Sequence, residues 1–266
     1  MIQFRKENLT VFQSSLYMTT SALIQTDEAI IMTDPTWLPV EIETIKYYVE
    51  KIKGDRELYI IYTHSDFDHI IGAGAFLEAK VIATEEFENN LYKKETLQTI
   101  QQFDQKYYVQ RNYEPIYPAV DIVVTEDGQT LELGDVSLLF NKAPGHTADG
   151  LFTVVEPYGI FLSGDYLSDV EFPFIFDSYK KYVKTMEKAR HILTNYHINY
   201  HVPGHGLTTD DQHEIERRLE FSHFYLEQLV TDNEIEKELQ KKYSFYEGMK
   251  AIHVDNLKLA KQELKR

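Results

Sequence analysis

Residues 63–72 read THSDFDHIIG, and positions 64–69 alone hold His64, Asp66, Asp68 and His69. Imidazole nitrogens and carboxylate oxygens at this density are metal-ligand chemistry. The chain has no cysteine, so a transition-metal site must be built from His, Asp and Glu. Three further turns add one ligand type each. APGHTADG (143–150) carries His146 in a Pro-Gly turn, FLSGDYL (161–167) carries Asp165 after a glycine, and VPGHG (202–206) carries His205 in a second Pro-Gly turn. A lone histidine in a turn is usually a solvent-exposed polar residue. Seven ligand-type residues in four loops that each follow an apolar run point instead to a metal centre, whose natural chemistry is the activation of water for hydrolysis.

These residues need elements to position them. ELYIIYT (57–63) is β-branched, aromatic and apolar and reads as a buried strand. HSDFDH therefore lies in the loop at its C-terminal end, where open α/β sheets place ligands. AIIMTDP (29–35) reads as a buried strand ending in a turn, and 37–54 as a helix with Pro39 in its first turn and Gly54 as its stop. GAGAFLEA (72–79) begins a short helix, KVIAT (80–84) is a strand, and 85–110 is polar and helical. From 119 to 164 the pattern changes to short strands, with EDGQ and ELGD as hairpin-type turns. Residues 178–195 are helical, 198–206 is a strand running into a Gly/Pro loop, and 210–266 is charged and helix-forming. This order suggests two sheets with helices outside.

Composition narrows the function. Among 266 residues, 43 are acidic and 27 basic, a net charge of −16. Nucleic-acid binders gather positive charge, so no nucleic-acid partner is expected. The segment MIQFRKENLTVFQSS has neither a long apolar core nor a small-residue cleavage site. The expectation is a cytoplasmic protein with no membrane partner and a small-molecule substrate. No Ser-His-Asp pattern is evident, so water is the expected nucleophile.

Taken together, HSDFDH, PGHT, SGD and PGHG resemble the signature of the metallo-β-lactamase superfamily, His-x-His-x-Asp-His followed by a distant His, Asp and His. The resemblance covers roughly residues 15–207. It implies an α/β (α+β) fold, a four-layer αββα sandwich with the metals at one edge between the sheets. The catalytic domain would be 1–207, with 208–266 a helical C-terminal extension packed on it. It also implies two divalent ions, the first held by His64, position 66 and His146, the second by Asp68, His69 and His205, with Asp165 bridging them. The implied reaction is hydrolysis of an ester-like bond (a lactone, thioester or phosphodiester in a small molecule) by a metal-bound hydroxide. Asp68 would be the catalytic carboxylate that orients this nucleophile or takes its proton. The alternative is a metal-binding sensor or interaction module of the same fold with little or no turnover.

The chain departs from the signature at Asp66, which stands where the family has its second histidine. Zinc ranks first as the metal, but a harder oxygen ligand also admits manganese or iron. A further alternative has Asp66 reaching the first metal only through water, leaving one tightly bound ion. In the aromatic segment 166–182, Tyr166 is a candidate hydrogen-bond donor to substrate, with plain packing as the competing reading. Asp149 is either a hydrogen-bond partner of a ligand histidine or a solvated turn residue. The lack of a basic cluster beyond 207 counts against a glutathione thioesterase, and the strong acidity against a nuclease. The lack of an export signal counts against a true β-lactamase, and Asp66 against the single-iron sulfur-oxidising branch. Residues 214–230 and 248–264 read as amphipathic helices in which His213, His223 and His253 are surface or packing residues. This extension either caps the active-site edge or forms a homodimer contact.

Overall fold

The apolar residues of the central strands divide between two cores, because successive side chains point to opposite faces. In the strand Ala29–Thr33, Ala29 and Ile31 face one core while Ile30 and Met32 face another. The computed structural model describes residues 1–231 and 235–265. A seven-stranded sheet runs in chain order through β1 (Ile2–Lys6), β2 (Leu9–Gln13), β3 (Thr20–Gln25), β4 (Ala29–Thr33), β5 (Glu57–Ile61), β6 (Lys80–Thr84) and β7 (Ile122–Val124). Pairing is antiparallel up to β4 and parallel from β4 to β7. Parallel neighbours need crossovers. Helix α1 (Pro39–Lys53) supplies the one between β4 and β5, and α3 (Glu85–Glu88) with α4 (Lys93–Tyr107) the one between β6 and β7. The single turn α2 (Phe67–Ile70) follows β5.

The second sheet has the order β12-β11-β10-β9-β8, from β8 (Gln129–Leu133), β9 (Val136–Lys142), β10 (Leu151–Glu156), β11 (Ile160–Gly164) and β12 (Tyr200–Pro203). Helix α5 (Tyr179–Asn195) joins the parallel pair β11 and β12. Three cores separate four layers. Ile61, Ile82, Phe140 and Leu162 belong to the core between the sheets. Ile42, Ile45 and Ile100 of α1 and α4 cover the outer face of the first sheet. Tyr182, Met186 and Ile192 of α5 cover the outer face of the second, where Phe152 and Phe161 lie. This is the expected αββα order.

Three local features differ from the sequence pattern. Residues 2–25, where the pattern assigns no element, form β1 to β3. The helix expected from residue 72 is reduced to a 3-10 turn at Ala73–Ala75. Gly72 and Gly74 lie against backbone, and a Cβ on them would come within 2.3 Å of Pro35 O and 2.0 Å of Glu114 O. The expected 85–110 helix is divided into α3 and α4.

The C-terminal stretch forms α6 (Gln212–Gln228), α7 (Glu236–Lys242) and α8 (Tyr246–Leu264), with positions 232–234 and 266 outside the described residues. Helices α6 and α8 both pack on α5. His253 is buried with its Nδ1 3.0 Å from the Tyr225 hydroxyl, His223 is partly buried 3.8 Å from Glu187, and His213 is exposed. Among the described residues none of the three joins a group able to hold an ion. No helix among them is long and apolar enough to cross a membrane.

One polar side chain ties α8 to the loop before α5. Buried Asn256 donates to Pro173 O (2.6 Å) and to the Tyr225 hydroxyl (2.9 Å), and accepts from Ile175 N (3.1 Å). Asn256→Ala leaves buried backbone groups at 173 and 175 unpaired, at a cost of about 2–4 kcal/mol. The expected result is a lower urea midpoint with an unchanged slope. An unchanged midpoint would show that α8 sits on the domain without this network.

Candidate metal centre

The loops that follow β4, β5, β9, β11 and β12 meet at one edge of the two sheets. Backbone bonds stitch that edge: Leu151 N donates to Thr63 O (2.8 Å) and Thr20 N to Gly204 O (2.7 Å). After β5 the chain turns at once into α2. Asp66 takes the position before the first helical residue in extended conformation, yet its side chain does not cap the helix. Its carboxylate faces inward instead, 3.6 Å from His64 Nε2 and 3.3 Å from His146 Nε2. The same turn brings Asp68 within 3.6 Å of His69 Nε2 and 3.4 Å of His205 Nε2. Glycines let the other loops press in. A Cβ on Gly145 would lie 2.4 Å from Tyr182 Cα, and one on Gly204 would lie 2.2 Å from the Asp165 carboxylate.

All seven residues singled out by sequence converge. Asp165 stands at the centre. Its carboxylate oxygens lie 3.5 Å from His64 Nε2, 3.2 Å from His69 Nε2, 3.2 Å from His146 Nε2 and 3.3 Å from His205 Nε2. Two groups result that could each hold an ion: His64, Asp66, His146 and Asp165, and Asp68, His69 and His205. Asp66 is the most open member, its side chain 36% exposed against 7% for Asp165.

Each imidazole is held from behind at Nδ1. His69 Nδ1 lies 3.0 Å from Asp34 Oδ2, His146 Nδ1 2.9 Å from Phe174 O, and His205 Nδ1 2.9 Å from Tyr17 O. A carboxylate or carbonyl can only accept, so these Nδ1 atoms carry the proton. His64 Nδ1 faces the Thr63 hydroxyl (3.0 Å), which itself donates to Asp34 Oδ2 (2.6 Å) and so accepts from the ring. All four Nε2 lone pairs therefore point at the centre. His64 Nε2, His146 Nε2 and Asp165 Oδ1 are buried with no hydrogen-bond partner among the described residues. Inward lone pairs, three carboxylates and orphaned buried donor atoms fit divalent cations.

The electrostatics agree. Burial opposes a charged ring at His205, but Asp165, Glu171 and Asp68 outweigh it and hold its pKa up at about 10. Burial is likewise overcome at His69 and His146, which are raised well above the ordinary histidine value by Asp165 and its neighbours. Asp165 is held well below the usual carboxylate range, burial notwithstanding, by His205, His69 and His64. The protein demands positive charge here.

The sequence profile of the metallo-beta-lactamase superfamily matches residues 15–217. The chain belongs to that superfamily. Metallo-beta-lactamase superfamily members are metallohydrolases that bind divalent metals, and the groups described above are where this member could hold them. Among solved structures, a double mutant of the sec-alkyl sulfatase PisA1 is 13% identical with a TM-score of 0.66; the match covers 90% of this chain and 43% of that one. The chain thus spans well under half of the alkylsulfatase. A metallo-beta-lactamase superfamily protein from the archaeon Sulfolobus tokodaii is 18% identical with a TM-score of 0.58, over 86% of this chain and 89% of that one. A B3 metallo-beta-lactamase described as having an active-site glutamic acid is 20% identical with a TM-score of 0.56, over 83% and 86%. At these identities the likeness shows the fold. A search of curated protein sequences returned no match.

Two sequence expectations need correction. Tyr166 is interior, and its hydroxyl donates to Ala143 O (2.8 Å) and accepts from His146 N (2.9 Å). It braces the His146 turn and has no donor left for a substrate. Asp149 is buried, but among the described residues no hydrogen bond joins its carboxylate to a histidine. That place is taken by Asp34, which sequence reasoning passed over. Asp34 also accepts from Thr63 N (2.9 Å), so it holds both His69 and the start of the HSDFDH loop. The available signal was its position at the end of β4, beside the end of β5. Glu171 was missed as well. Burial, aided by Asp165 and Asp68, pushes it up to about 7 against the pull of His205, and with Asp165 and His205 it forms a third group able to hold an ion.

Four non-glycine residues with left-handed backbone, Tyr17, Met18, Asp34 and Leu167, lie in the segments that support the cluster. In Tyr17 this turn contributes the carbonyl that faces His205.

Loss of a hydrogen-bond partner behind a metal-ligating histidine typically weakens metal binding 10- to 100-fold. Asp34→Ala is expected to lower metal affinity by about that factor in competition with a chromophoric chelator. Wild-type affinity in the variant would contradict the role assigned to Asp34.

Proposed function

We propose that the protein is a hydrolase of an ester-like bond in a small molecule, working with two divalent ions. The observation that carries this reading is the contact of one carboxylate, Asp165, with the inward nitrogens of all four histidines. In this reading His64, Asp66 and His146 would hold one ion and Asp68, His69 and His205 the other, with Asp165 within reach of both groups. Two separate groups, His64, Asp66, His146 and Asp165 and then Asp68, His69 and His205, support two ions over one. Zinc suits the four imidazoles, and the Asp66 oxygen moves the first site toward manganese or iron. Bound divalent ions supply a water that loses its proton near neutral pH and draw charge off the bond under attack.

The chain's own groups do the rest. Asp68 lies 3.6 Å from His69 Nε2 and 3.4 Å from His205 Nε2, and in this reading it would orient the attacking water and accept its proton. Asp66, 36% exposed, is the most open carboxylate of the cluster. The cavity over the cluster measures about 230 Å³ and is lined by His146, Asp165 and His205 together with Phe67, Phe174 and Ile252. Such a space suits a small molecule. A Ser–His contact does exist, between Ser163 and His201 (2.9 Å). Neither residue lines that cavity, and His201 Nδ1 has no partner among the described residues, so this pair lacks the third group of a nucleophilic triad.

The test is turnover of ester, thioester, lactone and phosphodiester probes by protein loaded with zinc, manganese or iron. At least one class should be cleaved, with the rate falling 10³-fold or more in Asp165→Ala. A fully loaded protein that leaves every probe intact would overturn the hydrolase reading.

A further inference from the structure

We propose that the reaction cavity continues into an apolar annex that takes a neutral acyl or alkyl arm of the substrate, with Gly248 at the junction. This rests on the hydrolase reading for the identity of the reacting end. The arm rests on the apolar lining of the annex and on Gly248.

A second cavity of about 260 Å³ adjoins the first and shares Tyr17, Glu171, Gly248 and Met249 with it. Beyond the shared residues its lining is Ser15, Met18, Val170 and Phe245. No lysine or arginine lines either space among the described residues. A phosphate, sulfate or carboxylate on the distal end of a substrate would find no counter-charge there, and Glu171 would repel it when ionised. The apolar side chains are also left open to water. Tyr17 is 66% exposed, Phe176 56% and Phe245 61%, and all three line one or both of the joined cavities. Apolar surface gathered in this way around a reaction site marks a place for an apolar ligand.

Gly248 supplies an independent observation. It lies in the first turn of α8. Its φ is not in the left-handed region, and a Cβ built on it would meet nothing within 4 Å. Neither backbone conformation nor packing requires glycine at this position. What its missing side chain leaves is space, and that space is the junction between the two cavities. For a carboxylic ester, water adds to the carbonyl carbon and the acyl C–O bond breaks; one proton of the water leaves on the alcohol, the other passes to solvent, and the acyl chain remains as the carboxylate. The annex holds the chain while this happens.

The test uses the full metal-loaded chain and 4-nitrophenyl esters from acetate to decanoate. The wild type should show kcat/KM rising about two- to fourfold per added CH₂ through the middle of the series. The readout is the ratio of octanoate to acetate kcat/KM. It should fall at least tenfold in Gly248→Leu, whose side chain would fill the junction. It should also fall in Phe245→Ser, a change at a side chain already exposed to water and so independent of any folding defect in the first variant. A wild-type ratio near one, or the same ratio in all three proteins, would overturn the proposal. If no 4-nitrophenyl ester turns over, the hydrolase reading is decided by the thioester, lactone and phosphodiester probes, and calorimetric binding of octanoate and acetate decides this inference. Tighter binding of octanoate in the wild type, lost in Gly248→Leu, sustains it; equal binding of the two overturns it.

Discussion

A buried carboxylate facing four imidazole lone pairs is the constraint on which the rest of the site depends. Asp165 is 7% exposed at its side chain and lies within 3.5 Å of four inward ring nitrogens. Without positive charge between them, these groups repel one another, and burial makes that repulsion costly. Cations resolve it, and the protein is shaped to admit them. Every ring is fixed at Nδ1 by an acceptor, so that Nε2 can point nowhere else. The glycines at 145 and 204 let the loops approach closely enough for one carboxylate to reach all four rings.

The supports reach far from the cluster. Asp34 at the end of β4 governs His69 directly and His64 through Thr63. Phe174 O holds His146, and its neighbours Pro173 and Ile175 are bonded to Asn256 of α8. A helix near the C-terminus is thus two hydrogen-bonded steps from a ring nitrogen at the centre. The same helix contributes Met249 and Ile252 to the lining of the cavity over the cluster. One element thus supports a ring of the cluster and shapes the space beside it.

What was legible in the sequence follows from where the information is local. HSDFDH, PGHT, SGD and PGHG announce themselves because ligand-type side chains sit in short turns directly after apolar strands. The strands β4, β5 and β6 are legible for the same reason, being short runs of β-branched and aromatic residues bounded by turns. The groups that could not be read are those whose role depends on a distant partner. Asp34 is an ordinary strand-end aspartate until β5 is placed beside β4, and Glu171 is one acid in an aromatic segment until the fold brings it to His205. Tyr166 misled in the opposite direction. Its proximity to Asp165 in sequence suggested a substrate contact, whereas the backbone turn aims its hydroxyl at Ala143 and His146. The 3-10 turn at Ala73–Ala75 was hidden similarly, since only the contacts of Gly72 and Gly74 with remote backbone explain it.

Asp66 carries the central claim. It is a carboxylate where the superfamily signature has its second histidine, at the most open corner of the cluster, and in the proposed two-metal reading it would be a direct ligand of the first ion. The most direct measurement is elemental analysis of the protein reconstituted with zinc, and with zinc plus manganese or iron, and freed of excess metal, beside Asp66→His. Two equivalents of metal per chain in both proteins is the predicted result. One equivalent in the wild type whichever metals are offered, rising to two in Asp66→His, would show that the aspartate does not hold the first ion and would contradict a two-metal site.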